Sequence, residues 1–217
     1  MTKQGRQTDR IRQVLHLLMQ LPRLALLASL VYGLVVLDWE LAGISVAVLI
    51  TTYGLFAARK WFNWRVPPDL ELWYVVFIYA SIFLGTYLDF YSEYVWWDAL
   101  LHFGSLLGLT FGLYLLAFWW QSMEKIQLPP SVVCLLVFSA ATTVGALWEI
   151  YEFWADIYLG PLMDFQMQAS NRDTMLDLIF NSLGAGLGAV LSYQHLKYNR
   201  LRWMRRLSSY VAKEPSH

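Results

Sequence analysis

Stretches of roughly 17 to 25 apolar residues recur along this chain between short polar breaks, the length a helix needs to cross the hydrocarbon layer of a bilayer. The spacing predicts helical spans at about 21–37, 41–58, 70–88, 95–120, 131–154 and 174–196. Composition agrees: 58% of residues are apolar, 15% are charged and mean hydropathy is +0.42, well outside the range of an ordinary soluble domain. The expectation is an all-α, polytopic membrane protein of about six transmembrane helices. A length of 217 residues leaves room for little else, so residues 1–217 read as a single membrane domain.

The connections carry helix-stopping punctuation at Pro67–Pro68, Pro129–Pro130 and Gly160–Pro161. The first span is short, with Pro22 expected near its start and Arg23 expected to snorkel to the interface. Residues 1–20 form a basic leader whose part from 10 to 20 mixes charged and apolar residues, the pattern of an amphipathic helix on the membrane surface. No cleavable signal peptide is expected, because the first strongly apolar stretch begins only around Leu24. The single cysteine, Cys134, lies inside an apolar run and reads as a small core residue; it excludes an intramolecular disulfide and a cysteine metal cluster.

Orientation follows from the basic residues. With six spans both termini share a side, and every Lys and Arg except Arg172 falls on that side, including the tail at 197–217. The positive-inside rule therefore predicts cytoplasmic termini and a multi-pass protein of the bacterial inner membrane. Acidic residues gather at the opposite, outer ends: Asp38, Glu40, Asp89, Glu93, Asp156 and Asp164, with the clustered carboxylates considered next. The basic inner rim suits anionic headgroups of the lipid bilayer, and nothing in the pattern calls for nucleic acid.

Ionisable residues within apolar segments are costly and mark functional sites by default. Here they cluster near the outer ends of three spans. Asp98 and His102 open the fourth, Glu149 and Glu152 close the fifth, and Asp173, Asp177 and Asn181 open the sixth. Spacings of three or four residues keep each group on one helix face. At about 1.5 Å of rise per residue, His102, Glu149 and Asp177 lie at similar depth, with Asp98, Glu152 and Asp173 one turn shallower. Gly184 and Gly188 continue the last face as a strip without side chains, where a neighbouring helix can approach closely. So many carboxylates around one imidazole need protons, Arg172 or a bound cation to neutralise them. Carboxylate and amide oxygens favour Mg²⁺, Ca²⁺ or Mn²⁺, and an imidazole admits Zn²⁺ or Fe²⁺. The expected metal ligands are His102, Glu149 and Asp177, with Asp98, Glu152 and Asp173 as catalytic groups and Asn181 and Arg172 as substrate-binding groups. The bland alternatives are interfacial solvation for the shallow tier and neutral, hydrogen-bonded carboxyls between helices for the deeper one.

Other features carry less. The tryptophans near span ends, such as Trp96, Trp97, Trp119, Trp120, Trp148 and Trp154, read as an interfacial belt rather than a grip on lipid or sugar. His16 and His195 lie near the cytoplasmic boundary without acidic partners, and no ligand role is expected of them. Asp89 and Glu93 either lend charge to the cluster or are solvated in their loop. The long connection from residue 156 to 171 either folds back as a lid or runs as an ordinary surface loop. No phosphate-binding loop, HExxH motif or nucleophile elbow is present in the sequence.

Asp98-x-x-x-His102, Glu149-x-x-Glu152 and Asp177-x-x-x-Asn181-x-x-Gly184, in this order and on a common side, resemble the YjdF-like bacterial inner-membrane proteins, a group of unassigned function. More distantly the layout is similar to the VanZ-like proteins, named for a member that raises resistance to teicoplanin. Those chains commonly carry Lys after the first Asp and often Gln in the second pair, where Ala99 and Glu152 stand here. The resemblance spans about residues 96–188 and implies a multi-helix inner-membrane protein without supplying a reaction.

Three function classes follow. An enzyme would use a divalent metal ion (Zn, Mg or Mn) at the acidic site to act on an envelope lipid or lipid-linked intermediate. A proton- or cation-coupled transporter or flippase would use the same carboxylates for coupling. A non-enzymatic accessory protein would use the cluster to hold helices together.

Overall fold

The computed structural model describes residues 3–61, 66–124, 126–163 and 166–212. Arg65, Lys125, Asp164 and the end of the basic tail from Lys213 lie outside the described residues. Among the described residues all regular structure is helical, and six segments are long and apolar enough to cross a membrane: Arg10–Val36, Trp39–Trp61, Pro68–Tyr87, Trp97–Glu124, Pro130–Tyr158 and Asn171–Tyr198. The chain divides into two compact units, Met1–Trp97 and Asp98–His217.

In the first unit, α1 runs without interruption over Lys3–Val36, so residues 10–20 continue the first span instead of forming a separate surface helix. Pro22 sits inside α1 and not at its start. The second span is broken into α2 (Trp39–Thr51) and α3 (Gly54–Trp61). A break at this depth frees backbone carbonyls that lipid cannot satisfy, and the protein supplies donors. Tyr74 Oη donates to the Thr51 carbonyl (2.8 Å), and Arg23 Nη2 donates to that of Thr52 (3.0 Å). Arg23 is therefore buried, not snorkelling: its Nε reaches Thr52 Oγ1 at 3.3 Å, and its guanidinium lies 4.2 Å from the centre of the Tyr53 ring. The negative end of the α2 dipole complements that charge.

The third span begins as α4 (Pro68–Ile78) and widens into a π-helical stretch over Tyr79–Tyr87, along which Tyr79, Phe83 and Tyr87 stack. A left-handed residue, Asp89, then leads into the short α5 (Phe90–Glu93). Leu26, Leu41, Val48 and Phe83 form the core of this unit.

The second unit is built on α6 (Trp97–Glu124), α7 (Pro130–Tyr158) and α9 (Asn171–Tyr198), with the single turn α8 (Gly160–Met163) between the last two. Pro130, like Pro68 in the first unit, opens a helix, where its missing N–H has no intrahelical partner to lose. The glycine strip on α9 meets α6. A Cβ added at Gly184 would fall on the Phe103 carbonyl oxygen, and one at Gly188 would stand 2.8 Å from Thr110 Cβ. No larger side chain fits at Gly184 without displacing α6 backbone, or at Gly188 without displacing Thr110.

Asn199 and Leu201, both at positive φ, turn the chain into α10 (Arg202–Ala212). This stretch of the basic tail buries Met204, Leu207 and Val211 against Tyr114, Leu115, Val133 and Val137 and leaves Arg202 and Arg205 exposed.

Candidate functional site

Each helix of the second unit contributes one polar face to the cluster. On α6, Asp98 and His102 lie one turn apart; on α7, Glu149 and Glu152 do; on α9, Asp173, Asp177 and Asn181 follow at four-residue steps. Packing α9 onto α6 through Gly184 brings Asp177 and Asn181 to His102. Gly145, one turn before Glu149, plays the same part on α7, since a Cβ there would stand 3.0 Å from Asn181 Nδ2.

His102 is the centre, only 8% exposed. Its Nε2 faces Asp98 Oδ1 at 3.4 Å and Asp177 Oδ1 at 3.9 Å. Its Nδ1 faces Asn181 Oδ1 at 3.2 Å and Glu149 Oε1 at 3.6 Å. In the tautomer that carries its hydrogen on Nδ1, that nitrogen donates to Asn181, and the Nε2 lone pair is left facing two carboxylates. Lone pair and carboxylates repel unless a cation or a proton stands between them. An imidazolium balances one negative charge, whereas Asp98, Glu149 and Asp177 together bring up to three.

Asp98, His102 and Asp177 each offer one ligand atom, and all three atoms lie within 4.8 Å of one another. That spread suits ligands around a single small ion. Glu149 stands on the opposite side of the ring. Two buried polar atoms here lack hydrogen-bond partners, Glu149 Oε1 and Asn181 Nδ2. Such atoms are rare in native interiors and concentrate at functional positions.

The remaining expected site residues lie further out. Glu152 is buried and accepts a hydrogen bond from Trp148 Nε1 (2.7 Å). Asp173 serves the start of α9: its Oδ2 accepts from Ala169 N (3.1 Å), while its own N–H donates to the Ser170 cap (3.2 Å). Arg172 is exposed on the first turn of α9 and makes no ion pair among the described residues. In the first unit, Asp89 Oδ1 accepts from Ser92 Oγ at 2.7 Å.

Two contributors escape a reading of spans and helix faces. Asp156 lies near the end of α7 and Gln168 in the α7–α9 connection, and Gln168 Nε2 donates to both Glu149 O (3.1 Å) and Glu149 Oε2 (3.3 Å). The only signal in the sequence is the unusual length of that connection. Gly145 was not singled out from the sequence either, although its place one turn before Glu149 on the same helix was the signal that could have found it.

Fold and cluster together define a multi-pass helical membrane protein with a His and Asp group, half-buried at Asp98 and buried at His102 and Asp177, whose ligand atoms lie within metal-binding distance of one another. The chain belongs to the family described as Predicted membrane protein (DUF2238), whose model matches residues 14–198 and so takes in all but the first residues of the six spans and the whole cluster. A relative from Thermotoga maritima, described as an uncharacterized protein, is 32% identical over 159 residues, covering 71% of this chain and 77% of its own length. No solved structure matches.

Proposed function

We propose that this is a bacterial inner-membrane protein with cytoplasmic termini, whose cluster opens toward the periplasm and holds a divalent cation between Asp98, His102 and Asp177 for action on the phosphate of an envelope lipid or lipid-linked intermediate. The carrying observation is the pair of carboxylate oxygens 3.4 and 3.9 Å from His102 Nε2, while Nδ1 is already engaged by Asn181. A bound divalent ion supplies positive charge to a phosphoryl oxygen and makes a bound water a stronger acid. The protein's own groups do the rest. Asn181 sets the tautomer and orientation of the imidazole, the usual task of a group bonded to the far nitrogen of a ligating histidine. Glu152, one turn from Glu149, is the group we assign to proton transfer. The orientation rests on the charge asymmetry of the connections. Relative to the expected ligand set, Asp98 takes the place of Glu149, because Glu149 lies on the Nδ1 side.

The coupled-transporter reading needs a polar route leading away from the cluster. Where α6, α7 and α9 meet, Leu106, Ala141 and Ala185 pack together one to two turns below it. The next hydroxyls are bonded to their own helices, Thr110 Oγ1 to Leu106 O (2.6 Å) and Ser192 Oγ to Gly188 O (2.8 Å). That apolar plug speaks for a site open to one side only.

The test is metal analysis of detergent-purified protein beside Asp98→Asn, His102→Ala and Asp177→Asn, together with lipid mass spectrometry of cells with and without the protein. Stoichiometric metal, lost in all three variants, with one lipid species changed, is the expected result. A metal-free protein whose melting is indifferent to both chelator and added cation would sink the reading.

A further inference from the structure

Glu149 is held from two sides. Inward, its Oε1 points to His102 Nδ1 at 3.6 Å and accepts no hydrogen bond, on a side chain only 4% exposed. Outward, Gln168 grips both the carbonyl oxygen and Oε2 of the same residue. Gln168 lies in coil, yet the coil is not free to place it. Asp156 Oδ1 accepts from Met167 N (2.6 Å) and Oδ2 from Gln168 N (2.9 Å), so one carboxylate on the last turns of α7 fixes two consecutive amides. Ala169 N is taken by Asp173 Oδ2 on the first turn of α9 (3.1 Å). The segment is thus a strap tied to both helices that carry the cluster, and Gln168 is the side chain it sends to Glu149.

We propose that Gln168 is a positioning residue for the cation site: it holds Glu149 Oε2 so that Oε1 faces His102 Nδ1, which in turn keeps Nε2 directed at Asp98 and Asp177. The proposal rests on the cation reading above. Its chemistry explains the residue type. A neutral amide offers N–H donors to a carboxylate without cancelling its charge, whereas a lysine there would offset the charge that Glu149 presents to the imidazole. Deprived of Gln168, the Glu149 carboxylate would have no hydrogen bond on either oxygen and would turn toward water, leaving the ring held by Asn181 alone.

The experiment uses the full-length protein in detergent with Mn²⁺ as the probe, its free fraction read by electron paramagnetic resonance and thermal unfolding followed in parallel. Gln168→Ala is expected to weaken Mn²⁺ binding about tenfold, because it frees Glu149, the partner of the ligand His102, and loss of such a partner costs about ten- to hundredfold. Gln168→Glu should weaken it further, because a second carboxylate then presses on Glu149. Gln121→Ala is the control. Gln121 is another buried glutamine tied to a connection, its Oε1 accepting from Leu128 N (2.9 Å) near the opposite end of α6. Its loss should lower the melting temperature and leave affinity within about twofold of wild type, since it touches no partner of a metal ligand. Wild-type affinity in Gln168→Ala, tighter binding in Gln168→Glu, or an equal loss in Gln121→Ala overturns the positioning role while leaving the cation reading intact. Absence of Mn²⁺ binding by the wild-type protein overturns both.

Discussion

Two buried histidines occupy the seam between α6 and α9, and their surroundings differ in kind. His195 has one hydrogen-bond partner among the described residues, Tyr114 Oη at 2.5 Å from its Nδ1, and packs against the Tyr114 and Phe118 rings. Among the described residues no carboxylate lies within ion-pair distance of it. His102 has acceptor oxygens facing both ring nitrogens, and two of the groups touching it keep an unsatisfied atom. Burial alone, then, does not distinguish the two histidines. A surplus of acceptors does, because only a cation or proton from outside makes it stable.

The comparison can be broken first at the His195 end, where stability is apolar. Leu207→Ala on α10 removes a side chain buried in the Tyr114 and Val133 core. It should cost about 2–5 kcal/mol in thermal or denaturant unfolding while Mn²⁺ affinity stays at the wild-type value. An accompanying loss of affinity would mean that the two ends are not independent.

The His102 end should instead respond to the ion. At a cation concentration of about a hundred times Kd, chelation should lower wild-type stability by about 2.7 kcal/mol. Asp177→Asn should show no chelator effect, and an undiminished shift in that variant would remove Asp177 from the ligand set.

The crossing between the two ends is sharpened by a pair of glycines. Gly184→Ala, whose Cβ collides with the Phe103 carbonyl, should cost about 1–3 kcal/mol and weaken cation binding. Gly186→Ala, with its nearest neighbour at 3.9 Å, should be neutral or gain up to about 1 kcal/mol from helix propensity. Similar melting curves for the two variants would show that the seam is looser than described.

The smallest effect belongs to Tyr114→Phe, which strips His195 of its hydrogen bond. A loss of about 0.5–1.5 kcal/mol, with no change in cation binding, is expected from differential scanning.

Much of this was legible in the residues. The six spans were, because hydrocarbon thickness imposes a length on any crossing helix. The faces of the cluster were as well, because helical periodicity alone places 98 with 102, 149 with 152, and 177 with 181. Reading went astray at Pro22 and Arg23, where hydropathy placed the start of a span. The polar, basic residues before Pro22 lower the local hydropathy without breaking the helix, so α1 continues through them. The division of the second span was equally hidden, since Thr52 and Tyr53 are ordinary residues of an apolar run and the break is stabilised by Arg23 and Tyr74 from other helices.

By itself, then, the order of residues determined that the chain forms membrane-spanning helices and which polar side chains share a face and a depth, because both follow from the pitch of one helix and the thickness of one solvent. Only tertiary packing decided which side of the imidazole each carboxylate occupies. Packing also put Asp98 rather than Glu149 beside Nε2 and brought Gln168 down onto Glu149 from a connection with no periodicity of its own. Those choices are set by where Gly145 and Gly184 let neighbouring helices touch, and a contact between helices distant in sequence leaves no trace in the period of either one.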